Sequence, residues 1–351
     1  MSKPKGRELN MRLRTSLASV LAFGCMLTNS ASGASAPAVS VLTIEIENYV
    51  PYHYEVFDAS RFATSTDLTA AQPAIPFGLL IVLGDIVAVN GRPVKGVWAA
   101  RATDLFLTPT VGVQPPNQPP QGRQAIADVQ RGHIQDMIWD ILDLDSNPIG
   151  TITASGFSRG PRAPGAPVDV TLDALTITGG TGSFFGIRGQ AGLVDLGAPR
   201  QATVVEAPAN RRILGGAKRS YLLQIIPMTT PEVAMTTVGP AVVHSDSTLV
   251  SSARPAKAGE VITIYALGLG PTRGTVPFGA AFPPSPALVV APVDVVVNGL
   301  PAEVLYTGGY PGSTDAYQIN LRLPAGLAPG TAGVKIRSAW IDGSSFLIPI
   351  G

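Results

Sequence analysis

A short cluster of aromatic and ionisable residues, which begins at Tyr52, contains side chains suited to acid–base chemistry. Its central pair is Tyr54 and Glu55. A tyrosine hydroxyl beside a carboxylate can polarise and deprotonate a small organic substrate when both groups reach the reacting atom. The same cluster can instead close one end of a β-barrel without any catalytic part. The sequence allows both the acid–base and the barrel-closing interpretation, and Tyr54 and Glu55 are candidate pocket-lining residues.

A second candidate lies in the segment that begins at His133, where residue types alternate. Alternate residues of a strand face opposite sides of a sheet. One face carries His133, Gln135 and Trp139, and the other carries Ile134 and Asp136, so both faces mix polar and apolar groups. The pattern does not decide which face is inward. If the first face lines a cavity, it presents His133 and Trp139 to a ligand, and otherwise they belong to a plain core or an exposed aromatic patch.

Three short segments match motifs of known chemistry, but the residues beside each segment do not fit the motif. Residues 156–160 have the Gly-x-Ser-x-Gly spacing of a nucleophile elbow, but prolines follow where the elbow needs a helix. The glycine-rich run 179–182 lacks the lysine and the helix of a phosphate-binding loop. Residues 143–147 supply three positions of a calcium loop, but Pro148 stands where that loop needs glycine. Turn chemistry explains each of these patterns.

The sequence predicts neither a metal ion nor a cofactor. The three histidines stand far apart, and none has a second histidine or a cysteine at metal-ligand spacing: His53, His133 and His244.

Short strands joined by tight turns must position these residues. Glycine and proline are abundant, at 38 and 32 residues, but 45 % of the chain is hydrophobic, which is not a disordered composition. Beyond residue 39 no helical period of useful length occurs, while apolar and β-branched runs alternate with turn signals. The predicted strands are 41–47, 79–89, 94–106, 134–144, 149–157, 168–177, 187–196 and 221–226, followed by 261–267, 293–298, 303–306, 316–323, 333–338 and 345–350.

The connections between these strands differ in kind. Asn90 and Gly91 suit a tight hairpin, because both residue types tolerate positive φ. A second tight turn is predicted over 145–148. By contrast, 108–122 and 158–167 are rich in proline and cannot pair within a sheet, so we predict long loops there. In a barrel, such loops often lie at a mouth.

The segment from Ala174 to Gln190 resembles the allene oxide cyclase and dirigent superfamily, which has a Gly-Gly-Thr-Gly turn, an aromatic residue and a Gly-x-Arg-Gly start to the next strand. The glycines allow a sharp corner, and the aromatic residue can cover exposed backbone. The resemblance implies an eight-stranded antiparallel barrel with a central cavity over residues 37–227. The residues of the turn motif are Gly179, Gly180, Thr181, Gly182 and Arg188, with Phe184 as the aromatic.

The last hundred residues resemble an uncharacterised domain found at the C-termini of secreted acidobacterial proteins of the Solibacter type. Three blocks carry the resemblance, at 258–272, 297–306 and 317–326. The number of strands and the length of the region suit an immunoglobulin-like β-sandwich over residues 253–351. Residues 228–252 have no clear period and are predicted to be a linker, with room for an edge strand. The predicted fold class is therefore all-β, with two domains.

Residues 1–36 have the layout of a secretory signal peptide, with a basic start, a short apolar core at 17–27 and small residues before the mature chain. Cleavage is predicted between Gly33 and Ala36. The alternative is a lipoprotein acylated at Cys25, although Phe23 fits a lipobox poorly. Removal of this segment takes away five basic residues and one acidic residue, so the remaining chain is slightly acidic and is not expected to bind nucleic acid.

Two function classes follow from these observations. The first is an exported protein, periplasmic, on the outer surface or extracellular, that binds a small hydrophobic ligand or an extracellular or cell-surface partner. The second is a cofactor-free cyclase or a dirigent-like protein that controls stereochemistry in the barrel cavity. No strong catalytic constellation is present in the sequence, so the first class is favoured.

Overall fold

The computed structural model describes residues 39–54, 79–105, 132–159, 173–195, 199–200, 202–274, 276–277 and 279–351. Strands hold 60 % of the residues and helices 4 %, which confirms the all-β prediction. The elements up to residue 226 are β1 (Ser40–His53), β2 (Leu79–Val89), β3 (Arg92–Leu105), β4 (Gly132–Leu142), β5 (Pro148–Arg159), β6 (Asp173–Gly180), β7 (Arg188–Asp195), β8 (Ala202–Thr203), α1 (Arg211–Leu214) and β9 (Ala217–Ile226).

Eight of these strands form a closed antiparallel barrel, as the sequence predicted. The strands β1 to β7 pair with one another in chain order. After β7 the order skips β8, so β7 pairs with β9, and β9 pairs with β1 to close the ring. Every wall strand therefore has two neighbours and no edge is left open. The strand β8 lies outside this ring and pairs in parallel with the last residues of β1.

The two ends of the barrel differ in their connections. At the turn end, short segments join β2 to β3, β4 to β5 and β6 to β7. Asn90 and Gly91 both have positive φ there, which confirms the predicted tight hairpin. At the loop end, the connections are residues 55–78, 106–131, 160–172 and 196–216. The proline-rich stretch 108–122 lies outside the described residues, and Ser158, predicted to start a loop, instead belongs to β5.

One extra residue in β1 reverses which of its faces is inward. Ile46 is buried in the barrel, but the register with β2 shifts between Glu47 and Val50, and Asn48 has a φ of 52°. After this bulge Tyr49 faces the interior, while Val50 and Tyr52 pack outside the barrel in a small separate cluster. The bulge thus gives β1 two apolar faces, one on each side of the wall.

The rest of the chain forms short strands and two larger antiparallel sheets. One sheet contains β13, β14, β17 and β18, with β10 at one edge, and the other contains β15, β16, β19, β20 and β21. The strands are β10 (Glu232–Val233), β11 (Met235–Thr236), β12 (Gly239–Pro240), β13 (Val242–His244), β14 (Val261–Leu267), β15 (Val293–Val297), β16 (Leu300–Pro301), β17 (Glu303–Gly309), β18 (Ala316–Arg322), β19 (Gly330–Ser338), β20 (Ile341–Asp342) and β21 (Phe346–Ile350).

The segment predicted as a linker carries structure of its own. Within 228–252, β10 and β13 pair with β14, and the side chains of Val242 and Val243 are buried. The domain boundaries at 37–227, 228–252 and 253–351 stay a prediction.

The turn end of the barrel contacts the C-terminal sheets. Arg273 forms ion pairs with Asp143 and Asp145 of the β4–β5 turn, at 3.0 and 2.9 Å. The backbone N–H groups of Asp145 and Asn147 also donate to the Asp143 carboxylate. These contacts make Asp143 a turn and contact residue, in line with turn chemistry rather than a calcium loop. The buried apolar residues of both parts belong to one continuous core.

The glycine-rich motif forms the corner between β6 and β7. Gly182–Phe184 is one turn of 3-10 helix, and Phe184 is fully buried against the wall. The backbone N–H of Thr181 donates to the Thr151 carbonyl, and their hydroxyls lie 2.7 Å apart. Arg188 donates to the Ile187 carbonyl at 2.8 Å. The motif therefore forms a tight corner at the turn end, with Phe184 buried beneath it.

Two adjacent glycines of this corner differ sharply in their surroundings. A Cβ on Gly180 would meet the Phe184 carbonyl oxygen and would lie 2.6 Å from the Thr151 oxygen, whereas a Cβ on Gly179 would meet nothing nearer than 3.6 Å. We expect Gly180→Ala to lower the free energy of unfolding by about 2 kcal/mol through overpacking. Gly179→Ala is the matched control and should change it by less than about 0.5 kcal/mol. Urea unfolding of both variants measures this, and equal effects would contradict it.

Candidate functional site in the barrel interior

Four aromatic side chains cross the middle of the barrel and are here called the aromatic layer. Trp98 of β3 and Trp139 of β4 are register partners and both are fully buried. Tyr221 of β9 stacks on Trp98 at 5.5 Å between ring centroids and meets Trp139 edge-on at 5.2 Å. Tyr49 stacks on Trp98 at 5.1 Å. An eight-stranded barrel is just wide enough for such side chains, so the aromatic layer occupies the cross-section at this level.

The two tryptophans carry polar groups that the surrounding wall does not satisfy. The indole nitrogens of Trp98 and Trp139 are buried, and neither has a hydrogen-bond partner among the described residues. Buried indole N–H groups usually find an acceptor. Leaving one donor without an acceptor costs about 1–3 kcal/mol. The aromatic layer therefore contains two buried donors whose hydrogen-bonding capacity the described residues leave unused.

Side chains on the two sides of the aromatic layer differ in polarity. Toward the turn end the interior holds branched aliphatic residues and the buried Phe184. Toward the loop end, a thioether and an amide stand between small residues in two inward rows across β3, β4 and β5. These rows are Ala100, Met137 and Ala154, then Ala102, Gln135 and Gly156, and they continue into buried aliphatic residues, Val82 and Ile177 in the first row and Leu80 and Leu175 in the second.

Polar groups also lie on the loop-end side of the aromatic layer. Arg219 is buried two residues before Tyr221 on β9, and its guanidinium carbon lies 4.6 Å from the Tyr49 ring centroid. Arg219 also donates to the Lys218 carbonyl at 3.3 Å. Gln135 is buried on the inward face of β4. The interior is thus apolar toward the turn end and mixed in polarity toward the loop end.

The residues predicted as pocket-lining do not all meet. Trp139 is in the interior, which decides the open question about β4, since the face with Gln135 and Trp139 is the inward one. Tyr54 stands at the end of β1 and is 50 % exposed. The backbone of His133 lies in β4, paired with Asp104 and Ser158, but its side chain is outside the described part. Glu55 also lies outside the described residues.

Part of the connection from β7 to β9, residues 199–200 and 202–216, is here called the strap, and it lies on the outside of β1 and β2. Within it β8 follows the end of β1, and α1 lies beside the bulge. Arg211 and Arg212 both pair with Asp85 of β2, at 2.5 and 2.7 Å, and the Asn48 amide donates to the same carboxylate at 2.9 Å. This group is called the Asp85 clamp. It attaches the strap to the barrel wall.

Two further features of the described part of the chain concern its acidic and histidine side chains and its helices. Over those residues no group of three or more histidine, cysteine or acidic side chains is placed to hold a metal ion. No described helix is long and apolar enough to cross a bilayer. His244 is buried and lies 2.5 Å from the Glu260 carboxylate and 3.2 Å from the Arg254 carbonyl, which ties β13 to the start of β14.

Sequence reasoning missed most of the aromatic layer. It identified Trp139 but not Trp98, Tyr221 or Tyr49. The signal for Trp98 was available, since the alternation in β3 places Gly96, Trp98 and the following alanines on one face and charged residues on the other. Tyr49 could not be assigned to the interior, because simple alternation from Ile46 puts it on the outer face until the bulge is known.

Comparison with known proteins does not assign this chain to a family. No family model matches this chain, and no curated protein matches it. Among solved structures, the N-terminal domain of the Streptococcus gordonii adhesin Sgo0707 is similar at a TM-score of 0.16 and 10 % sequence identity, over 90 % of this chain and 93 % of that one. At this TM-score, the likeness carries no statement about fold or function.

The Asp85 clamp predicts a particular acid sensitivity. Burial would raise the pKa of Asp85, but hydrogen bonds from Arg212, Asn48 and Arg211 outweigh it and hold the pKa at about 2, below the ordinary 3.8. Since the folded pKa is depressed, the stabilisation is complete above pH 3.8 and is lost as the pH falls toward 2. We expect Asp85→Asn to remove this part of the pH dependence, and to destabilise the protein by about 3 kcal/mol at neutral pH because Arg211 stays buried without its partner.

Urea unfolding between about pH 5 and pH 2 measures both effects. Asp136→Asn is the matched control, because Asp136 forms an exposed pair with Arg101 at 3.2 Å. Its loss should cost less than about 1 kcal/mol. An Asp85→Asn protein with the same stability and the same slope against pH as the parent would refute the role of the clamp.

Proposed function

We propose that the barrel binds a small, largely apolar ligand that offers a hydrogen-bond acceptor to the indole N–H groups of Trp98 and Trp139. The observation that carries this proposal is the pair of buried indole nitrogens without a partner among the described residues. Ligand pockets are mostly apolar, with a few polar groups that fix orientation. The aromatic layer has that composition.

The lining of the barrel suggests the side from which the ligand enters. The buried polar residues Gln135 and Arg219 lie between the aromatic layer and the loop end, whereas the interior toward the turn end is apolar and contains Phe184. The long connections also lie at the loop end. Loops placed on a rigid scaffold commonly form binding sites. We therefore place the ligand on the loop-end side of the two tryptophans, where Gln135 is available to select polar substituents.

We favour binding over catalysis because, among the described residues, the acid–base pair suggested by the sequence is not placed at the aromatic layer. Cofactor-free cyclisation or dirigent-like stereocontrol needs an acid–base group at the ligand. The sequence candidate for that role was the pair of Tyr54 and Glu55. Tyr54 is half exposed at the end of β1, away from the buried aromatic layer, and Glu55 lies outside the described residues.

The remaining parts of the proposal rest on the sequence. We propose an allene-oxide-cyclase-like or dirigent-like barrel, supported by its eight strands and its glycine-rich corner. For the C-terminal part we propose an immunoglobulin-like sandwich of the acidobacterial type that serves as an extracellular or cell-surface interaction module. It is supported by two five-stranded antiparallel sheets and the three sequence blocks. Export of the protein is proposed from the layout of residues 1–36.

Tryptophan fluorescence tests the proposed ligand site. The titration compares small cyclic ketones and esters with hydrocarbons of the same shape. Because a hydrogen bond to the indole N–H is worth about 1 kcal/mol net, we expect the oxygenated compounds to bind roughly fivefold to tenfold more tightly. Trp139→Phe keeps a ring but removes the N–H, so it should reduce that preference.

Trp340 supplies the control, since it is the one tryptophan in the C-terminal sheets. Trp340→Phe should retain both the binding and the preference for oxygenated compounds. If no compound gives a saturable change, the binding proposal fails. If hydrocarbons and ketones bind equally well, the role given to the indole N–H groups is wrong.

Export is tested by N-terminal sequencing of the protein from its native host. We expect the mature chain to start between residues 34 and 36, because the small residues of that stretch follow the apolar core of the signal. A start at an acylated Cys25 would establish the lipoprotein alternative. A mature protein that retains residues 1–14 would show that export by this signal does not occur.

A further inference from the structure

The strap presents apolar side chains to solvent to an unusual degree. Val205 is 87 % exposed, Ile213 is 80 % exposed and Leu214 is 59 % exposed. The other side of the strap packs on the barrel wall, where Ala202 and Arg211 are buried. The three aliphatic side chains therefore project away from the barrel on one connection. Single exposed apolar residues need no explanation, but a group of them on one short segment marks an interaction site.

The strap is fixed and is not a loosely attached loop. Arg200 makes two hydrogen bonds to the Glu206 carboxylate, both at 2.8 Å, and a third to the Gly215 carbonyl at 3.1 Å. The Asp85 clamp holds α1 through Arg211 and Arg212. Val205, Ile213 and Leu214 are thus exposed on a segment that is braced on both sides, so they cannot fold back on the wall without breaking these ion pairs.

Charge on and beside the strap is positive. The strap contains three basic residues, Arg200, Arg211 and Arg212, and one acidic residue, Glu206, which pairs with Arg200. Arg211 and Arg212 share the single carboxylate of Asp85, and the Arg212 side chain is 58 % exposed. A basic side chain immediately before two exposed aliphatic ones complements an anionic surface with an apolar interior, because the arginine stays at the charged boundary while its neighbours enter the apolar layer.

We propose that the strap is a membrane-docking site, which inserts Val205, Ile213 and Leu214 into the headgroup region of an anionic bilayer with Arg212 against the lipid phosphates. A bilayer is favoured over a protein partner by size, because a stable protein interface needs about 800 Å² from each side, whereas a few protruding aliphatic side chains with adjacent arginines suffice for interfacial binding. The docking proposal does not depend on a ligand in the barrel.

Docking through the strap would also orient the barrel. The strap starts at the loop end, where β8 pairs with the last residues of β1 and the Val204 N–H donates to the His53 carbonyl. A bilayer that receives Val205 therefore lies beside the loop end of the barrel wall, near the last residues of β1. An apolar ligand could then pass between the bilayer and the barrel over a short path.

Vesicle flotation tests the proposal with the full chain. The vesicles are phosphatidylcholine alone and phosphatidylcholine mixed with phosphatidylglycerol. We expect binding to the mixed vesicles that weakens with added salt, and at least about a tenfold loss for the double variant Ile213→Ser with Leu214→Ser, because its apolar side chains no longer enter the bilayer. Arg212→Gln should weaken binding to the mixed vesicles only.

The matched control is Leu347→Ser, a substitution of a 63 % exposed leucine on β21, which should leave vesicle binding unchanged. Thermal unfolding of the Ile213/Leu214 variant and of Leu347→Ser should match the parent, since these side chains are exposed. Absence of vesicle binding by the parent protein, or equal binding by the Ile213/Leu214 variant, would overturn the proposal. A dimer that the same variant dissociates, without vesicle binding, would identify a second copy of the chain as the occupant and would also overturn it.

Discussion

The extra residue at Asn48 is the local feature on which the functional parts of the barrel depend. A closed sheet fixes which residues face inward, since alternate positions must face opposite sides. The bulge in β1 changes that assignment within one strand, so Ile46 and Tyr49 are both inward although three positions separate them. Without it, Tyr49 would leave the aromatic layer, and Val50 and Tyr52 would enter the interior.

The outer consequence of the bulge is the strap. Because Val50 and Tyr52 face outward, they form a small apolar cluster with Ala202 on the outside of the wall. That cluster gives the strap a surface to pack on, and the Asn48 side chain joins Arg211 and Arg212 on Asp85. Asn48, where the bulge reverses the inward face of β1, thus also helps to anchor the strap on the outside of β1. Interior and strap are linked through one irregularity in one strand.

The parts of the fold that could be predicted from the sequence are those with a regular alternation of apolar and polar residues or a glycine-rich turn. The bounds of β2 and β14 agree with their predicted ranges, and the corner at Gly179–Gly182 was identified, because period-two patterns and glycine turns are local signals. The aromatic layer is a non-local feature, since it joins residues of β1, β3, β4 and β9 that the sequence separates by up to about 170 positions. The pairing of Asp85 with Arg211 has the same origin, because barrel closure alone brings β2 beside the strap. The order of strands around the barrel is the information that a single sequence did not supply.

The composition of the aromatic layer is not explained by stability alone. Phenylalanine rings at the positions of Trp98 and Trp139 could fill much of the same space without any buried donor. Each unpaired indole N–H opposes folding by about 1–3 kcal/mol, which is a large fraction of the 5–15 kcal/mol that stabilises a typical domain. Stacking with Tyr221 and Tyr49 recovers part of this cost, since aromatic pairs contribute about 0.5–1.5 kcal/mol beyond their burial. The rings account for the packing and leave the two N–H groups unexplained, which is why the proposed ligand is one that carries a hydrogen-bond acceptor.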